Sequence, residues 1–196
     1  PNVVKPLEKP TGTLILSVGS LKPGKGIATN IEALSILRNK GFEIHYWIVG
    51  DGPLRKKLKK TATDLGVAKY TRFCGSIERS EIGNYMSSCD IFSLPSHPEA
   101  FGLAHLEAAS LGKPVIACVD TGPAFNLPNE LAALLVPPSD PNSVAEAWVK
   151  LIENPSLRNE LGENGSKIAR KFSWEKNASE FIKVIGSLKL NMGQPR

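Results

Sequence analysis

The feature that most constrains the fold is a regular alternation of short apolar runs with longer amphipathic stretches between Leu14 and Val136. The apolar runs have the length of strands, and helical spacing of apolar residues predicts a helix in most of the gaps between them. Strands joined by helical crossovers pair in parallel and are covered on both faces. We therefore predict an α/β fold: a doubly wound, Rossmann-like parallel sheet of about six strands with helices on both faces.

The predicted strands are Leu14–Val18, Ile44–Val49, Tyr70–Cys74, Ile91–Leu94, Pro114–Val119 and Ala133–Val136. The predicted helices between them are Gly26–Asn39, Leu54–Leu65, Glu78–Ser87 and Phe101–Leu111. After Val136 the strands stop, and helices are predicted at Asn142–Glu153, Ser156–Lys171 and Trp174–Leu188. Residues 1–13, rich in proline, are predicted to be a linker or the end of a preceding region, residues 14–190 one domain, and residues 191–196 a frayed tail.

The composition excludes several classes of protein. No apolar run is long enough to cross a bilayer, and the start of the chain lacks a signal-peptide pattern. The three cysteines have no C-x-x-C spacing, so we expect free thiols, no metal site and a cytoplasmic setting. The net charge of +5 favours an anionic partner such as a phosphorylated ligand.

The densest basic run is Arg55–Lys60, within a stretch whose apolar residues recur at helical spacing. It is therefore interpreted as the solvated face of an amphipathic helix. Contact with a membrane or partner protein and weak nucleic-acid binding are the alternatives. No aromatic residue interleaves the charges and no nucleic-acid motif accompanies them, so we predict no nucleic-acid partner.

A glycine-rich turn follows the first predicted strand, in the segment Val18–Gly26. In a parallel sheet, ligands bind where the loops gather at the carboxyl ends of the strands. Such a loop lets backbone N–H groups approach a phosphate, and Lys25 adds a positive charge at the start of a helix. The spacing matches neither a P-loop nor G-x-G-x-x-G, so the loop alone leaves a tight structural turn and a phosphate site equally open.

A second segment, Ser96–Glu107, runs from the fourth strand into a helix. Free N–H groups at Phe101, Gly102 and Leu103 would face an anion there. Glu99 precedes the helix and Glu107 lies inside it, roughly 12 Å away along the axis at a helical rise of about 1.5 Å per residue. This spacing exceeds the roughly 5–9.5 Å of a glycosidase carboxylate pair and favours two contacts along one extended ligand.

The chain resembles the C-terminal domain of the retaining GT-B glycosyltransferases of family 4 (group 1) from Leu14 to about Ile182. Several family-like motifs occur in order: the Val18–Gly26 loop, Val49-Gly50-Asp51-Gly52-Pro53-Leu54, Phe73-Cys74-Gly75, Glu99 to Ala108, Gly112-Lys113-Pro114-Val115-Ile116-Ala117, Leu134-Leu135-Val136-Pro137-Pro138 and Phe172-Ser173-Trp174-Glu175.

The resemblance implies that the domain binds a nucleoside-diphosphate sugar as a substrate and needs no metal or other cofactor. It implies that Lys25 contacts the diphosphate and that Lys25 and Glu99 act in catalysis. The resemblance also implies further donor-binding positions, some of them by adjoining the family motifs. Glu107 would contact the ribose, and the segment Gly75–Ile77 would lie along the base. The full set is Gly19, Ser20, Gly75, Ile77, Phe101, Gly102, Leu103 and Glu107.

The chain departs from the family pattern at the donor site. Ser20 stands where the family usually has an arginine that helps to clamp the diphosphate, and Gly24 replaces a usual glutamate. Ala100 replaces a glycine or proline, and Phe125 stands at the glutamate position of a degenerate Gly-Gly-x-Pro-Glu segment. Loss of one charge-assisted hydrogen bond, about 1.5–3 kcal/mol, would weaken donor binding about tenfold or more.

Family members bind the acceptor through a second, N-terminal domain, which this length leaves no room for. The expected function is thus the donor-binding part of a hexosyltransferase whose missing N-terminal domain binds a glycan, lipid or small-molecule acceptor. The isolated chain is expected to be inactive. The alternative is a catalytically impaired nucleotide-sugar-binding or interaction module. For the full enzyme, peripheral contact with the inner face of a membrane stays open.

Overall fold

The computed structural model describes residues 4–172. Six parallel strands form one sheet: β1 (Thr13–Val18), β2 (Ile44–Val49), β3 (Thr71–Gly75), β4 (Ile91–Ser93), β5 (Val115–Cys118) and β6 (Ala133–Val136). Their order across the sheet is β3-β2-β1-β4-β5-β6. This confirms the predicted doubly wound, Rossmann-like parallel sheet.

Seven α-helices lie within the described residues: α1 (Ile27–Asn39), α2 (Arg55–Asp64), α3 (Arg79–Ser88), α4 (Leu103–Ser110), α5 (Gly122–Asn126), α6 (Pro141–Glu153) and α7 (Pro155–Ala169). Helix α1 packs against α2 and α6, and α4 packs against α3 and α7. On β2 the ring of Tyr46 meets Trp148 of α6, while the neighbouring Trp47 meets Tyr85 of α3. Because successive side chains of a strand point to opposite faces, these helices cover the sheet on both sides.

The predicted boundaries were wrong where glycine or proline controls the backbone. Helix α4 begins at Leu103 and not at Phe101, because Gly102 adopts a left-handed conformation (φ 81°) as the N-cap. Gly26 likewise precedes α1 as its N-cap (φ 69°). Tyr70 ends a 3₁₀ turn, Ala68–Tyr70, and does not start β3. The short helix α5 was not predicted, because five residues that include a proline show no helical period. The predicted helix Trp174–Leu188 lies outside the described residues.

The core lies on both faces of the central strands, where side chains of β1, β4 and β5 are almost wholly buried. The cysteines are free, with Cys89 and Cys118 buried and Cys74 partly so. Residues before β1 are tied to the domain, since the N–H of Lys5 donates to Asn84 and Lys9 pairs with Asp90. Among the helices of the described part, none is both long enough and apolar enough to cross a membrane.

The strand order places a switch point between β1 and β4, the two central strands. The chain leaves β1 toward β2 and β3 on one side, and β4 leads to β5 and β6 on the other. Connections on the two sides run over different faces, so the loops after β1 and β4 diverge and open a crevice. The two motifs found in the sequence follow these two strands.

Candidate functional site

Backbone hydrogen bonds join the loops at the carboxyl edge of the sheet into a continuous row. The N–H of Gly50 donates to Gly75, and that of Leu21 donates to Asp51. On the other side, the N–H of His97 donates to Gly24 at 2.7 Å, and that of Gly122 donates to Glu99 at 2.8 Å. Each loop is thereby held by its neighbour, so the edge forms a preorganised surface.

The glycine-rich turn fits against the loop that follows β4. A Cβ atom at Gly26 would lie 2.4 Å from the carbonyl oxygen of Pro95, and one at Gly24 would lie 2.7 Å from that of His97. Both positions also have positive φ, which favours glycine. The close approach brings Lys25, between the two glycines, to the second motif.

Lys25 and Glu99 form an ion pair at the centre of this edge. Nζ of Lys25 lies 2.6 Å from Oε2 of Glu99, and the two side chains are 28% and 17% exposed. The hydroxyl of Ser96 donates to the same carboxylate oxygen at 3.1 Å. Burial alone would raise the pKa of Glu99, but the hydrogen bond and charge of Lys25, with the Ser96 hydroxyl, outweigh it and hold this pKa below its ordinary value.

The amino end of α4 lies beside this pair and is uncapped. Gly102, the N-cap, has no side chain, and the first turn contains no acidic residue. Within the described part of the chain, the N–H groups of Leu103 and Ala104 have no backbone acceptor. Unpaired N–H groups and the helix dipole favour an anion at such an end. The predicted donors were Phe101, Gly102 and Leu103, but Phe101 and Gly102 precede the helix proper.

Glu107 lies one turn into α4, with its side chain 48% exposed. Arg79, the first residue of α3, has its guanidinium 3.9 Å from the Glu107 carboxylate. Both border an open groove of about 490 Å³ between α3 and α4. The estimated 12 Å between Glu99 and Glu107 assumed a helical rise over the whole segment. The helical rise applies only from Leu103 onward.

Gly75 and Ile77 lie at the end of β3, on the far side of the same edge. Gly75 has φ +79°, and a Cβ there would meet the Arg55 guanidinium at 3.4 Å. That guanidinium pairs with Asp51 at 2.7 Å. Gly19 follows β1, where its N–H donates to Val49. The structure thus distributes the sequence-predicted residues along one edge, with Lys25 and Glu99 in direct contact.

Of the four departures from the family pattern, Ser20 lies in the loop after β1 and Phe125 lies on α5. Ser20 follows Gly19 at the carboxyl end of β1 and is partly buried. Phe125 is 81% exposed on α5, and Phe101 and Leu103, at the entry to α4, are 41% and 61% exposed. The side-chain amide of Asn126 donates to the carbonyl of Phe101 at 2.9 Å and ties α5 to the start of α4. An exposed apolar surface therefore adjoins the amino end of α4.

His105 and Ser96 have roles that the sequence did not indicate. His105 is fully buried, and its Nε2 lies 2.8 Å from the carbonyl oxygen of Leu94. The ring of Phe92 meets its imidazole edge-on, so His105 is packed inside the domain. Ser96 opens the segment Ser96–Glu107, and only the fold shows that its hydroxyl reaches Glu99. His97 is exposed.

Among residues 4–172, no group of three or more His, Cys, Asp and Glu side chains is arranged to hold a metal ion. Lys25 and Glu99 lie at the crevice, and Arg79 and Glu107 border the groove between α3 and α4. Together with the uncapped helix, this set can bind an anion and nearby hydroxyl groups.

Comparison with known proteins gives consistent matches. Residues 2–168 match the family model for glycosyl transferases group 1. An uncharacterized glycosyltransferase of Methanocaldococcus jannaschii is 32% identical over 173 residues, covering 88% of this chain and 48% of that protein. A lipopolysaccharide core biosynthesis glycosyltransferase of Rhizobium meliloti is 30% identical over 175 residues, covering 89% and 50%.

Among solved structures, sucrose-phosphate synthase from Thermosynechococcus elongatus superposes with a TM-score of 0.85 at 26% identity. The match covers 96% of this chain and 50% of that chain. The chain thus spans about half the length of these relatives and has the fold of the C-terminal half of a GT-B enzyme. On the family match and the fold together, the chain belongs to the group 1 glycosyl transferases.

Proposed function

We propose that this chain is the donor-binding half of a retaining family 4 glycosyltransferase that moves a hexosyl group from a nucleoside diphosphate to an acceptor hydroxyl. The observation that carries the proposal is the contact between Lys25 and Glu99 beside the uncapped amino end of α4. A cation and free N–H groups suit a diphosphate, while a carboxylate suits sugar hydroxyls.

The diphosphate is placed over Leu103 and Ala104, with Lys25 beside it. Negative charge builds on the diphosphate as the bond to the sugar breaks, so donors fixed in advance lower the barrier. In the transfer, the bond between the sugar C1 and the phosphate oxygen breaks, and the acceptor oxygen bonds to C1 from the same face. The acceptor proton passes to the departing phosphate oxygen, which requires neither a metal nor an enzyme nucleophile.

Glu99 holds the donor sugar. When the ligand binds, Lys25 turns from Glu99 to the diphosphate, and sugar hydroxyl groups donate to the Glu99 carboxylate in its place. Glu107 accepts from the ribose hydroxyls, and Gly75–Ile77 borders the base. Gly19 and Ser20 face the diphosphate from β1. The companion half of the enzyme supplies the acceptor site, so the isolated chain is inactive in transfer. We place the full enzyme in the cytoplasm. Peripheral contact with the inner face of a membrane would give it access to a lipid acceptor.

Calorimetry with UDP, GDP and ADP, each with and without an attached sugar, tests this proposal. We expect the chain to bind one base in preference and Glu107→Ala to weaken that nucleotide about tenfold. The same variant is expected to lose the discrimination between ribose and 2′,3′-dideoxyribose nucleotides. Glu146→Ala, an exposed glutamate on α6, is the matched control. Absence of binding of all three nucleotides at millimolar concentration would contradict the assignment.

A further inference from the structure

Two consecutive carbonyl groups at the exit of β4 are held by buried side chains from opposite faces of the sheet. The carbonyl oxygen of Ser93 accepts from Nδ2 of Asn30, on α1, at 2.9 Å and also from the hydroxyl of Ser17 on β1. The carbonyl oxygen of Leu94 lies 2.8 Å from Nε2 of His105, on α4. Both side chains belong to residues that are 0% exposed. Hydrogen bonds from helices on both faces of the sheet thus hold the end of β4 in place.

Asn30 is the centre of a buried polar network. Its Nδ2 also lies 3.1 Å from Oγ of Ser17 and from the hydroxyl of Tyr46. Its Oδ1 accepts from Oγ of Ser93, which in turn accepts from Nε1 of Trp148. A buried network with its members satisfied holds one arrangement of the strands and helices that it joins.

His105 makes the matching contact on the other face. A carbonyl oxygen can only accept, so Nε2 of His105 carries the proton and donates to Leu94. Among residues 4–172, Nδ1 has no hydrogen-bond partner, and a Cβ at Gly102 would lie 2.9 Å from it. A leucine would avoid the unpaired Nδ1, but it would also remove the N–H that donates to Leu94. The imidazole is therefore explained by the bond to Leu94 and not by packing alone.

The elements joined by these contacts are those that bear the proposed donor site. Lys25 immediately precedes the N-cap of α1, the helix that carries Asn30. Ser96 and Glu99 follow Leu94 by a few residues, and the amino end of α4 lies three residues from His105. A displacement of the β4 exit therefore moves Glu99 relative to both Lys25 and the free N–H groups.

We infer that Asn30 and His105 are positioning residues, which clamp the β4 exit so that Glu99, Lys25 and the amino end of α4 present one diphosphate site. The inference rests on the proposed function for its ligand and on the two buried contacts for its geometry. Neither side chain touches the ligand. Their effect is confined to the phosphate part of the site, because Gly75 and Ile77 lie beyond the clamp at β3.

Three variants test the clamp. His105→Leu and Asn30→Leu each remove the donor that a helix supplies to Leu94 or Ser93, while the N–H of Ser96 and the hydroxyl of Ser17 still donate to these carbonyls. His105→Gln keeps an N–H donor on a side chain of similar reach. The matched control is Ile44→Val, which removes one buried methylene at the opposite, amino end of the sheet. Binding of UDP, GDP and ADP is compared with binding of uridine, guanosine and adenosine.

We expect His105→Leu and Asn30→Leu to weaken diphosphate binding about tenfold while nucleoside binding stays within about twofold. His105→Gln should restore most of the diphosphate affinity, and Ile44→Val should leave both affinities unchanged. An equal loss of nucleoside binding, or a His105→Leu chain with unchanged diphosphate binding, would overturn the inference.

Amide hydrogen exchange tests the geometry without any ligand. His105→Leu is expected to accelerate exchange at His97 and Gly122, whose N–H groups donate to Gly24 and Glu99 across the clamped loops. Gly50, which donates to Gly75, serves as the internal reference. If the unchanged chain binds no nucleotide, the proposed function fails. The amide exchange rates still test whether His105 holds the end of β4. If His97 and Gly122 exchange in the His105→Leu variant at the same rates as in the unchanged chain, the clamp is refuted.

Discussion

Nζ of Lys25 lies 2.6 Å from Oε2 of Glu99, although 74 residues separate them in the chain. Each residue follows one of the two central strands, so the contact exists only because β1 and β4 are neighbours. Both groups are partly shielded from water, so their attraction is stronger than that of a fully exposed pair. A ligand that separates Lys25 from Glu99 must offer an anionic group to the lysine and hydrogen-bond donors to the carboxylate.

Replacing Lys25 by methionine should weaken nucleoside diphosphate binding about 10- to 100-fold, because one charge-assisted contact contributes about 1.5–3 kcal/mol. The same change removes the cation beside Glu99, so the pKa of that carboxyl should rise. Calorimetry measures the affinity, and NMR titration of the carboxyl measures the pKa. Lys57→Met on the exposed face of α2 is the control, and an equal loss in that variant would point to general charge instead.

Ser20→Arg should tighten diphosphate binding about tenfold, since it restores a cation at the carboxyl end of β1. Thr11→Arg adds the same charge at the exposed, opposite end of that strand and should change the affinity little. Both affinities are read by calorimetry at one ionic strength, because screening changes such contacts. An unchanged affinity in Ser20→Arg would show that Ser20 lies away from the phosphates.

Gly102→Ala and Gly112→Ala form a matched pair, since both positions have positive φ, 81° and 71°. An alanine Cβ at Gly112 would meet no atom of residues 4–172 within 4 Å, whereas at Gly102 it would lie 2.4 Å from Cγ of Pro123. We expect Gly112→Ala to cost about 1 kcal/mol of unfolding free energy from backbone strain alone. Gly102→Ala should cost about 1–3 kcal/mol more through the clash.

Denaturant unfolding measures the two free energies, and calorimetry measures nucleotide binding. Only Gly102→Ala is expected to lose diphosphate affinity, because its clash displaces the amino end of α4. Equal destabilisation of the two variants would contradict the close packing between Gly102 and Pro123.

The stability of the fold should depend on His105 between about pH 4 and 6.5. Burial lowers the pKa of His105 to about 4 from its ordinary value of 6.5. As the pH falls below 6.5, the unfolded chain gains a proton that the folded chain does not, so the unfolding free energy decreases. The loss reaches roughly 3 kcal/mol near pH 4 and stops where the folded form is protonated too.

His105→Gln has no titrating imidazole, so its unfolding free energy should fall less steeply over the same pH range. Urea unfolding at several pH values measures both slopes. A slope that is the same in the variant and the unchanged chain would assign the acid sensitivity to other groups.

The sheet was predictable because its signals are local. Runs such as Ile44–Val49 are apolar except for His45, as expected of a strand buried on both faces, and the structure contains this strand with the predicted limits. Limits failed where one backbone conformation decides them: Gly102 ends the extended segment by adopting positive φ, which a pattern of apolar residues does not encode.

The site was predictable in its loops and less so in its contacts. Lys25 and Glu99 could be singled out separately, but their ion pair depends on Gly24 and Gly26 packing against the loop after β4. The bond from His105 to Leu94 had no sequence signal, since a histidine on a helix can as well face solvent. Such contacts join elements distant in sequence, and only the packed structure specifies them.

The junction between β1 and β4 is a narrow seam in the sheet, with as few register pairs as the junction between β4 and β5. The two strands pair only at Ile15 with Ile91 and at Leu16 with Phe92, whereas β1 and β2 pair along their full length. The chain on each side of the seam contributes one member of the Lys25–Glu99 pair. A bound molecule that contacts both residues would therefore link the two halves of the sheet. Ligand binding would stabilise the folded domain against separation of β1 from β4.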